Sequence, residues 1–322
     1  DANRGIIKSL IDKKSGKDWV APNSTEGLGQ YVNERFTYEQ CLNYTLKDQN
    51  KRAMGSLGLP ENEDWPHPGI HKPGLISDSM IPYRAVSPEK GTLSISKHDL
   101  VQTAVLKMPG DPNRHLPATE LHISLKKGMP YLDIECKVSN KKKDTWPEAD
   151  WLCLPSNVKD PSFKIGRALG TINPATDLIP GSNRHVYSVG SGVTITDSDG
   201  SGIAILPLDH PLVSLGEPGI WKFSRDYVPE TPTVYLNLYN NMWNTNFRYW
   251  YPGSWSSRVR LWTFTETKDA EAEFLSASLE ARTPLMTKSA NGKNGNLPVI
   301  QEGIRSSRSG VVITALSKDF ND

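Results

Sequence analysis

The strongest constraint on the fold is a pair of segments, residues 121–125 and 132–138, in which apolar and polar side chains alternate. A period of two residues places successive side chains on opposite faces of a strand. A turn containing Gly128 and Pro130 separates the two segments. We therefore expect an antiparallel hairpin with one buried face and one face in water. The apolar face is formed by Leu121, Ile123, Leu125, Leu132, Ile134, Cys136 and Val138.

The rest of the chain supports a mainly β fold. Short alternating runs recur, the 322 residues include 24 Pro and 25 Gly, and almost no long helical period is present. This composition favours a sandwich of two sheets with long loops. Further hairpins are predicted over residues 4–20 and around the 197–201 turn. One helix is expected over residues 269–281, with Asp269 as its N-cap.

Charge and hydropathy exclude several functions. The 37 basic and 36 acidic residues leave a net charge of +1, so we expect neither nucleic acid nor a membrane as a partner. No apolar run approaches the roughly 18 to 20 residues of a membrane-spanning helix. Cys41, Cys136 and Cys153 lack metal-ligand spacing and are predicted to be buried free thiols. The compartment is left open, although a secreted or periplasmic location is the expectation for a bacterial source.

Residues 234–262 hold nine of the chain's 27 aromatic residues. Their ends alternate as strands do, and the residues between them form a predicted loop in which amides stand beside rings. An aromatic face and planar amides match the C–H face and the hydroxyl groups of a sugar. A structural hairpin with an Asn-rich tip would give the same pattern. The candidate sugar contacts in the loop are Asn240, Asn241, Trp243, Thr245 and Asn246.

Two other patterns suggest chemistry. Glu148 and Asp150 stand two residues apart beside tryptophans, which places both carboxylates on one face of a strand, about 7 Å apart. Such a pair suggests a glycosidase, but a solvated strand face shows the same pattern more often. His67 and His71 have the spacing of a helical metal pair, and the prolines around them rule out the helix. We therefore expect a loop at these histidines and no metal site.

Several segments together resemble a known family. Residues 4–20 and 27–36 are similar to the strand, DKKTG-type turn and GLGQY segment that begin the C-terminal β region of glycoside hydrolase family 38, the α-mannosidase family. Residues 178–182 and 209–213 match its D-L-P-G-S and D-A-P-L-V segments in order. Residues 240–247 resemble the N-N-x-W-x-T-N-F/Y motif of its bacterial members, and residues 280–285 the helix end that follows.

The resemblance implies a large two-sheet antiparallel supersandwich of the galactose-mutarotase type. It also implies a separate N-terminal catalytic barrel that carries zinc and an aspartate nucleophile, so no catalytic residue, no metal and no cofactor are expected in this chain itself. We expect the chain to be an excised C-terminal portion, with a further strand of the family pattern beyond Asp322. The expected divisions are a β domain at 1–287, a flexible linker at 288–298 and a returning strand segment at 299–322.

The resemblance adds to the candidate site and leaves alternatives. Asp209 and His210 join the loop as expected sugar contacts, although His210 replaces a small residue of the family pattern. The aromatic-rich residues 247–255 also depart from that pattern, so mannose is not assumed. One alternative is a carbohydrate-binding module that uses Trp250 and Trp255 as a platform. Another is a free-standing mutarotase-like or lyase-like enzyme, with its acid–base pair drawn from His122, Glu135 and His185.

Overall fold

The structure is a computed structural model that describes residues 1–44, 82–144, 146–242, 251–265 and 270–282, together with Ser307 and Val311. Two α-helices are present in these residues, α1 (Tyr38–Asn43) and α2 (Ala270–Arg282), with a short 3-10 turn at Pro112–Arg114. The strands are β1 (Gln30–Arg35), β2 (Arg84–Val86), β3 (Thr92–Lys97), β4 (Val101–Met108), β5 (Ala118–Lys126), β6 (Tyr131–Lys141), β7 (Glu148–Pro155), β8 (Ser162–Arg167), β9 (Gly170–Ile172), β10 (Tyr187–Ser188), β11 (Gly192–Thr196), β12 (Gly202–Pro207), β13 (Leu212–Leu215), β14 (Thr233–Asn240) and β15 (Gly253–Phe264).

The described strands form two antiparallel sheets, which confirms the predicted mainly β, two-sheet fold. Six strands lie in the order β10-β13-β14-β7-β1-β2, and nine lie in the order β3-β4-β5-β6-β15-β12-β11-β8-β9. The long strand β15 pairs with β6 on one side and β12 on the other, so it forms the middle of the larger sheet. The aromatic-rich stretch therefore supplies central strands to both sheets through β14 and β15.

The main core lies between the sheets. The predicted hairpin of β5 and β6 is confirmed, and its inner face carries Leu121, Leu132 and Ile134. These side chains pack in one cluster with Leu152 of β7 and Leu236 of β14. Fully burying an aliphatic side chain of this size contributes about 2 kcal/mol, so this face holds the two sheets together.

A second core covers the outer face of the six-stranded sheet. Trp151 and Tyr235 point to this side, opposite to their inward-facing neighbours, and their rings meet edge to face at 6.2 Å. Trp151 also donates from Nε1 to the buried Glu34 carboxylate at 2.6 Å. Helix α1 begins here with a capping box of Thr37 and Gln40. The smaller sheet is thus buried on both faces.

The N-terminal segment departs from its prediction. The turn at 12–16 forms, because Gly16 N–H donates to Asp12 O at 2.8 Å. The flanking residues make isolated bridges instead of continuous strands. The reason is Asp18, whose Oδ1 accepts from the main-chain N–H groups of Leu10 and Val20 at 2.9 and 3.1 Å. In this hairpin, hydrogen bonds to the Asp18 side chain replace main-chain bonds that a regular pair of strands would make.

Helix α2 lies one residue from its predicted position and packs on the larger sheet. Its Phe274 is fully buried and stacks on Trp262 of β15, with 5.9 Å between ring centroids. Ser278 Oγ donates to Ser191 O at 2.7 Å. The predicted cap Asp269, the linker at 288–298, the 299–322 segment except Ser307 and Val311, and His67 and His71 lie outside the described residues.

Two further predictions concern single residues. Cys41, Cys136 and Cys153 are all buried and free, as expected. The 197–201 segment forms the tight turn between β11 and β12, with Asp197 N–H donating to Ser201 O at 2.8 Å. Among the described helices, none combines the length and apolar character needed to span a membrane.

Two glycines with positive φ allow the stability cost of backbone strain to be distinguished from the cost of a steric clash. Gly192 (φ 105°) begins β11, and a Cβ there would lie 2.3 Å from Ile205 O; Gly128 (φ 76°) has no atom within 4 Å of such a Cβ. We expect Gly192→Ala to lower the free energy of unfolding by about 3 kcal/mol or more. Gly128→Ala should cost only about 1 kcal/mol. Urea denaturation of both variants checks this, and equal losses would contradict it.

Candidate functional site

One end of the sandwich gathers the connections that carry the predicted site residues. β14 ends at Asn240, opposite Ala149 at the start of β7. β6 ends at Lys141, which pairs with Gly253 at the start of β15. Because antiparallel partners begin and end at the same edge, β13 also starts here, and the 208–211 connection before it lies at the same end. We call this region, where β6, β12 and β14 end and β7, β13 and β15 begin, the loop end.

A buried group of charges joins the two sheets at the loop end. Lys141 Nζ of the nine-stranded sheet lies 3.0 Å from Glu148 Oε1 and 3.5 Å from Asp150 Oδ2 of the six-stranded sheet. Asn33 on β1 donates from Nδ2 to Glu148 Oε2 at 3.1 Å and to Asp150 Oδ1 at 2.7 Å. The three charged side chains are at most 3% exposed. We call these four residues the ion cluster.

Proton affinities in the ion cluster reflect burial and mutual charge. Burial and then the charge of Asp150 raise the pKa of Glu148 to about 7, against the opposing effect of Lys141. For Lys141, burial disfavours the charged form, but the carboxylates of Asp150 and Glu148 outweigh it and raise its pKa. Lys141 is therefore a fixed cation, and Glu148 is the member that exchanges a proton near neutral pH.

The carboxylates correct one expectation. Glu148 and Asp150 share a face of β7, as their spacing predicts, but that face is the interior between the sheets and not a solvated surface. Buried charges without partners are strongly disfavoured, so a paired cation is required. The sequence pattern contained the carboxylates, whereas their partner comes from a different strand.

Sequence reasoning missed Lys141, and the backbone explains why. Along β6, Asp133, Glu135 and Lys137 face outward, so strict alternation would place Lys141 outward too. Asn140 instead adopts a left-handed conformation (φ 52°), and the pairing with β15 shifts register at this point. A bulge of this kind re-aims the following side chain, and Lys141 is consequently turned into the interior. The Asn140 residue type, which tolerates left-handed φ, was the available signal.

Aromatic rings line one side of the ion cluster. A second register shift, in β14 between Asn237 and Tyr239, places the Tyr239 ring 5.2 Å from Lys141 Nζ. Trp255 stacks on Tyr239 with 5.6 Å between centroids and 20° between planes. Trp255 also packs against the main core, and its indole N–H has no hydrogen-bond partner. Of the predicted platform, Trp255 is thus part of the interior wall at the loop end.

The two leading asparagines of the loop have different roles in the described structure. Asn241 is 4% exposed, accepts from the Glu148 N–H at 2.8 Å and donates to Trp146 O at 2.7 Å. It therefore fastens the end of β14 to the β6–β7 connection. Asn240 is half-buried and donates to Asn237 Oδ1 at 2.8 Å. The predicted contacts Trp243, Thr245, Asn246 and Trp250 lie outside the described residues.

Asp209 and His210 lie at the loop end on the other side of β15. Asp209 accepts a forked pair of hydrogen bonds from Arg258 Nε and Nη2 at 3.0 and 2.8 Å, and these bonds lower its pKa. His210 is half-buried, its Nδ1 has no partner, and burial lowers its pKa. Asp209 is consequently held by an ion pair, whereas His210 is a neutral side chain with a vacant acceptor or donor position.

The residues of the free-standing enzyme alternative are not all brought together. His122 and Glu135 are cross-strand neighbours on the outer face of the larger sheet, where His122 Nε2 lies 2.7 Å from Glu120 Oε2. His185 belongs to the other sheet's periphery, where it stacks on Tyr227 at 4.5 Å. The described residues also contain no group of three or more His, Cys, Asp or Glu side chains able to hold a metal ion.

A cavity of about 590 Å³ opens at the loop end next to the ion cluster. Lys141 and Glu148 form part of its wall, and the turn after β4 supplies His115. His115 has φ 55° and places Nδ1 3.1 Å from Asp144 Oδ2. A cavity of this size can hold a small ligand. Its lining residues are Gly110, Pro112, His115, Leu116, Pro117, Ala118, Ser139, Asn140, Lys141, Lys142, Lys143, Asp144 and Glu148.

Comparison with known proteins gives a fold and no family assignment. No protein-family model matches the chain. No curated protein matches it either. An α-mannosidase from Enterococcus faecalis V583 superposes with a TM-score of 0.52 and 11% identity, over 86% of this chain and 29% of that chain. A protein in the glycosyl hydrolase family 38 from Enterococcus faecalis gives 0.51 and 11%, over 89% of this chain and 32% of that chain.

These likenesses show a shared fold over nearly all of this chain. The chain spans only 29% and 32% of the length of the two Enterococcus faecalis proteins. A galactose mutarotase-like protein from Lactobacillus casei ATCC 334 is also a structural neighbour, with a TM-score of 0.37, 9% identity and coverage of 81% of this chain and 95% of that chain. At that score the overlap carries no argument about the site.

Removing the cation of the ion cluster should strongly destabilise the protein. Lys141→Met leaves Glu148 and Asp150 buried without their counter-charge, and we expect a loss of about 3 to 5 kcal/mol in the free energy of unfolding. The matched control is Lys137→Met on the same strand, whose ion pair with Glu135 is exposed and whose loss should stay below about 1 kcal/mol. Equal effects in guanidinium denaturation would show that the cluster does not join the sheets.

The raised pKa of Glu148 makes stability depend on pH. The folded protein keeps this proton up to about pH 7, whereas the unfolded chain releases it near the ordinary value of 4.5. The contribution of Glu148 therefore falls as pH rises through this range and is constant above it. Relative to wild type, Glu148→Gln should gain roughly 1 to 3 kcal/mol between about pH 5 and pH 8. The exposed control Glu273→Gln should show no such gain, and a flat difference for Glu148→Gln would refute the assignment.

Proposed function

We propose that this chain is the accessory β region of an α-mannosidase-like glycoside hydrolase. Its loop of residues 240–247 would contact a sugar in an active site that a separate catalytic domain completes. The observation that carries the proposal is the extent of the fold likeness, which covers 86% and 89% of this chain but only 29% and 32% of the two Enterococcus faecalis proteins. A carbohydrate and the catalytic domain of the same protein are the proposed partners.

The loop end supports this role through its architecture. Asn241 anchors the end of β14 to the β6–β7 connection, so the residue that precedes the proposed contacts is held in place. Trp243, Thr245 and Asn246 then supply a ring face, a hydroxyl and an amide, which are groups that recognise a pyranose. Asp209, which is exposed, and His210, which is half-buried, stand at the same end and are further candidates for contacts with a sugar.

The same architecture argues against hydrolysis by this chain alone. Glycoside hydrolysis needs two carboxyl groups that flank the scissile bond. The carboxylates of the ion cluster are 1% and 0% exposed and are occupied by Lys141 and Asn33. They hold the sheets together and have no room for a glycosidic oxygen between them. Zinc, which the family resemblance implies, would belong to the catalytic domain.

The test compares the isolated chain with a longer protein that contains the catalytic domain. We expect the longer protein to hydrolyse aryl α-mannosides or a related α-glycoside, and the isolated chain to be inactive. In the longer protein, Trp243→Ala and Asn246→Ala should each lower kcat/KM by about tenfold or more without changing Tm. Asn113→Ala, an exposed asparagine outside the loop, is the control and should leave kcat/KM unchanged.

Two results would contradict the proposal. Hydrolysis by the isolated chain would show that it carries its own catalytic groups. Tight binding of oligosaccharides by the isolated chain, abolished by Trp250→Ala with no effect of Trp243→Ala, would indicate a carbohydrate-binding module instead. In the described part of that stretch, Tyr251 is 48% exposed and Trp255 is partly buried.

A further inference from the structure

A ring of basic groups stands beside the cavity at the loop end. Arg35 binds Asp144 through Nη1 at 2.6 Å and Nη2 at 3.4 Å. His115 approaches the same carboxylate at 3.1 Å. Arg84 lies directly across from Arg35 in the β1–β2 pair and donates from Nη2 to Arg114 O, the carbonyl that precedes His115, at 3.1 Å. We call Arg35, Arg84, His115 and Asp144 the basic ring.

Among the described residues, the basic ring holds one carboxylate, Asp144, against two arginines. Like charges directly opposite each other on neighbouring strands repel, and Arg35 and Arg84 form such a pair with the single carboxylate of Asp144 between them and His115. Burial, and then the charges of Arg35 and Arg114, lower the pKa of Arg84. Arg84 Nε is buried and has no hydrogen-bond partner. This contrasts with the ion cluster, where two carboxylates offset one lysine.

Part of the basic ring lines the cavity, whereas Arg35 and Arg84 do not. His115 and Asp144 line it, and the exposed Lys142 and neighbouring Lys143 extend the basic wall. Lys141 adds little to this field, because its charge is offset by Glu148 and Asp150. Pro112, Leu116 and Pro117, on the turn that carries His115, also line it. The cavity thus combines basic and apolar lining groups.

We propose that this cavity binds an oxyanion: a carboxylate, sulfate or phosphate group, either free or carried on a sugar. Lys142 contacts the anion, and Arg35 and Arg84 supply positive potential nearby. Charge-assisted hydrogen bonds to oxyanions are stronger than neutral ones, and a partly buried wall reduces screening by salt. The apolar lining groups accommodate the body of an organic ligand. This site is independent of the loop at 240–247 and does not depend on the proposed glycoside hydrolase role.

Isothermal titration of the 322-residue chain with sodium sulfate, at constant ionic strength set by chloride, tests the proposal. We expect saturable binding at one site. Lys142→Met should weaken it by about tenfold, and Arg84→Met should weaken it to a similar or smaller degree. The matched controls Lys97→Met and Arg225→Met remove exposed cations that do not line the cavity, and they should bind sulfate as the wild type does.

D-Glucuronate and D-glucose distinguish the source of the anion. Tighter binding of glucuronate than of sulfate, with no binding of glucose, shows that the site takes an anion carried on a sugar. Tighter binding of sulfate shows that it takes a free anion. Lys142 is exposed, so its variant remains informative even if Arg84→Met fails to fold. Absence of saturable sulfate binding, unchanged binding by Lys142→Met, or equal binding of glucose and glucuronate would overturn the proposal.

Discussion

The structure depends on a charge interaction that crosses the interior of the sandwich. Lys141 reaches from the larger sheet to Glu148 and Asp150 of the smaller one, and Asn33 closes the group. Hydrophobic packing between two sheets is non-directional and allows them to slide. A buried cation has few acceptable positions, since every displacement leaves a charge unpaired in a medium of low dielectric. The ion cluster therefore fixes how the sheets register at the loop end.

Two neighbouring groups at the loop end differ in their exposure and in how their charges are paired. The ion cluster is enclosed and its charges are matched, which suits a structural role. The basic ring is partly open and sets one carboxylate, Asp144, against Arg35 and Arg84, which suits a role in recognition. The groups are adjacent because Arg35 pairs with Glu148 across β1 and β7. The paired charges of the ion cluster thus lie next to the two arginines of the basic ring. The surrounding fold supplies the energy needed to hold these like charges together.

Alternation predicted the hairpin of β5 and β6 and most of its buried face, because a period of two residues is a local property of a regular strand. Leu125, near the end of β5, is the exception and is 48% exposed. The same rule failed at Lys141, where Asn140 leaves the strand conformation. It also left Glu148 and Asp150 apparently solvated, because their partner is set by pairing between distant segments. Sequence patterns did not identify His115 and Arg84 for the same reason. The two residues are 31 positions apart, and strand pairing brings Arg84 to the carbonyl of Arg114, next to His115. Sequence patterns thus identified residues that lie at the loop end. The charge pairs found there depend on irregular backbone and on strand pairing, which those patterns did not predict.

Asn241 has a practical consequence for protein engineering. Its amide forms hydrogen bonds with main-chain atoms of Glu148 and Trp146, so these bonds do not depend on the identity of neighbouring side chains. A library randomised over residues 243–250 leaves Asn241 and both of these bonds unchanged. Asn241 is therefore a fixed boundary from which such a library can start.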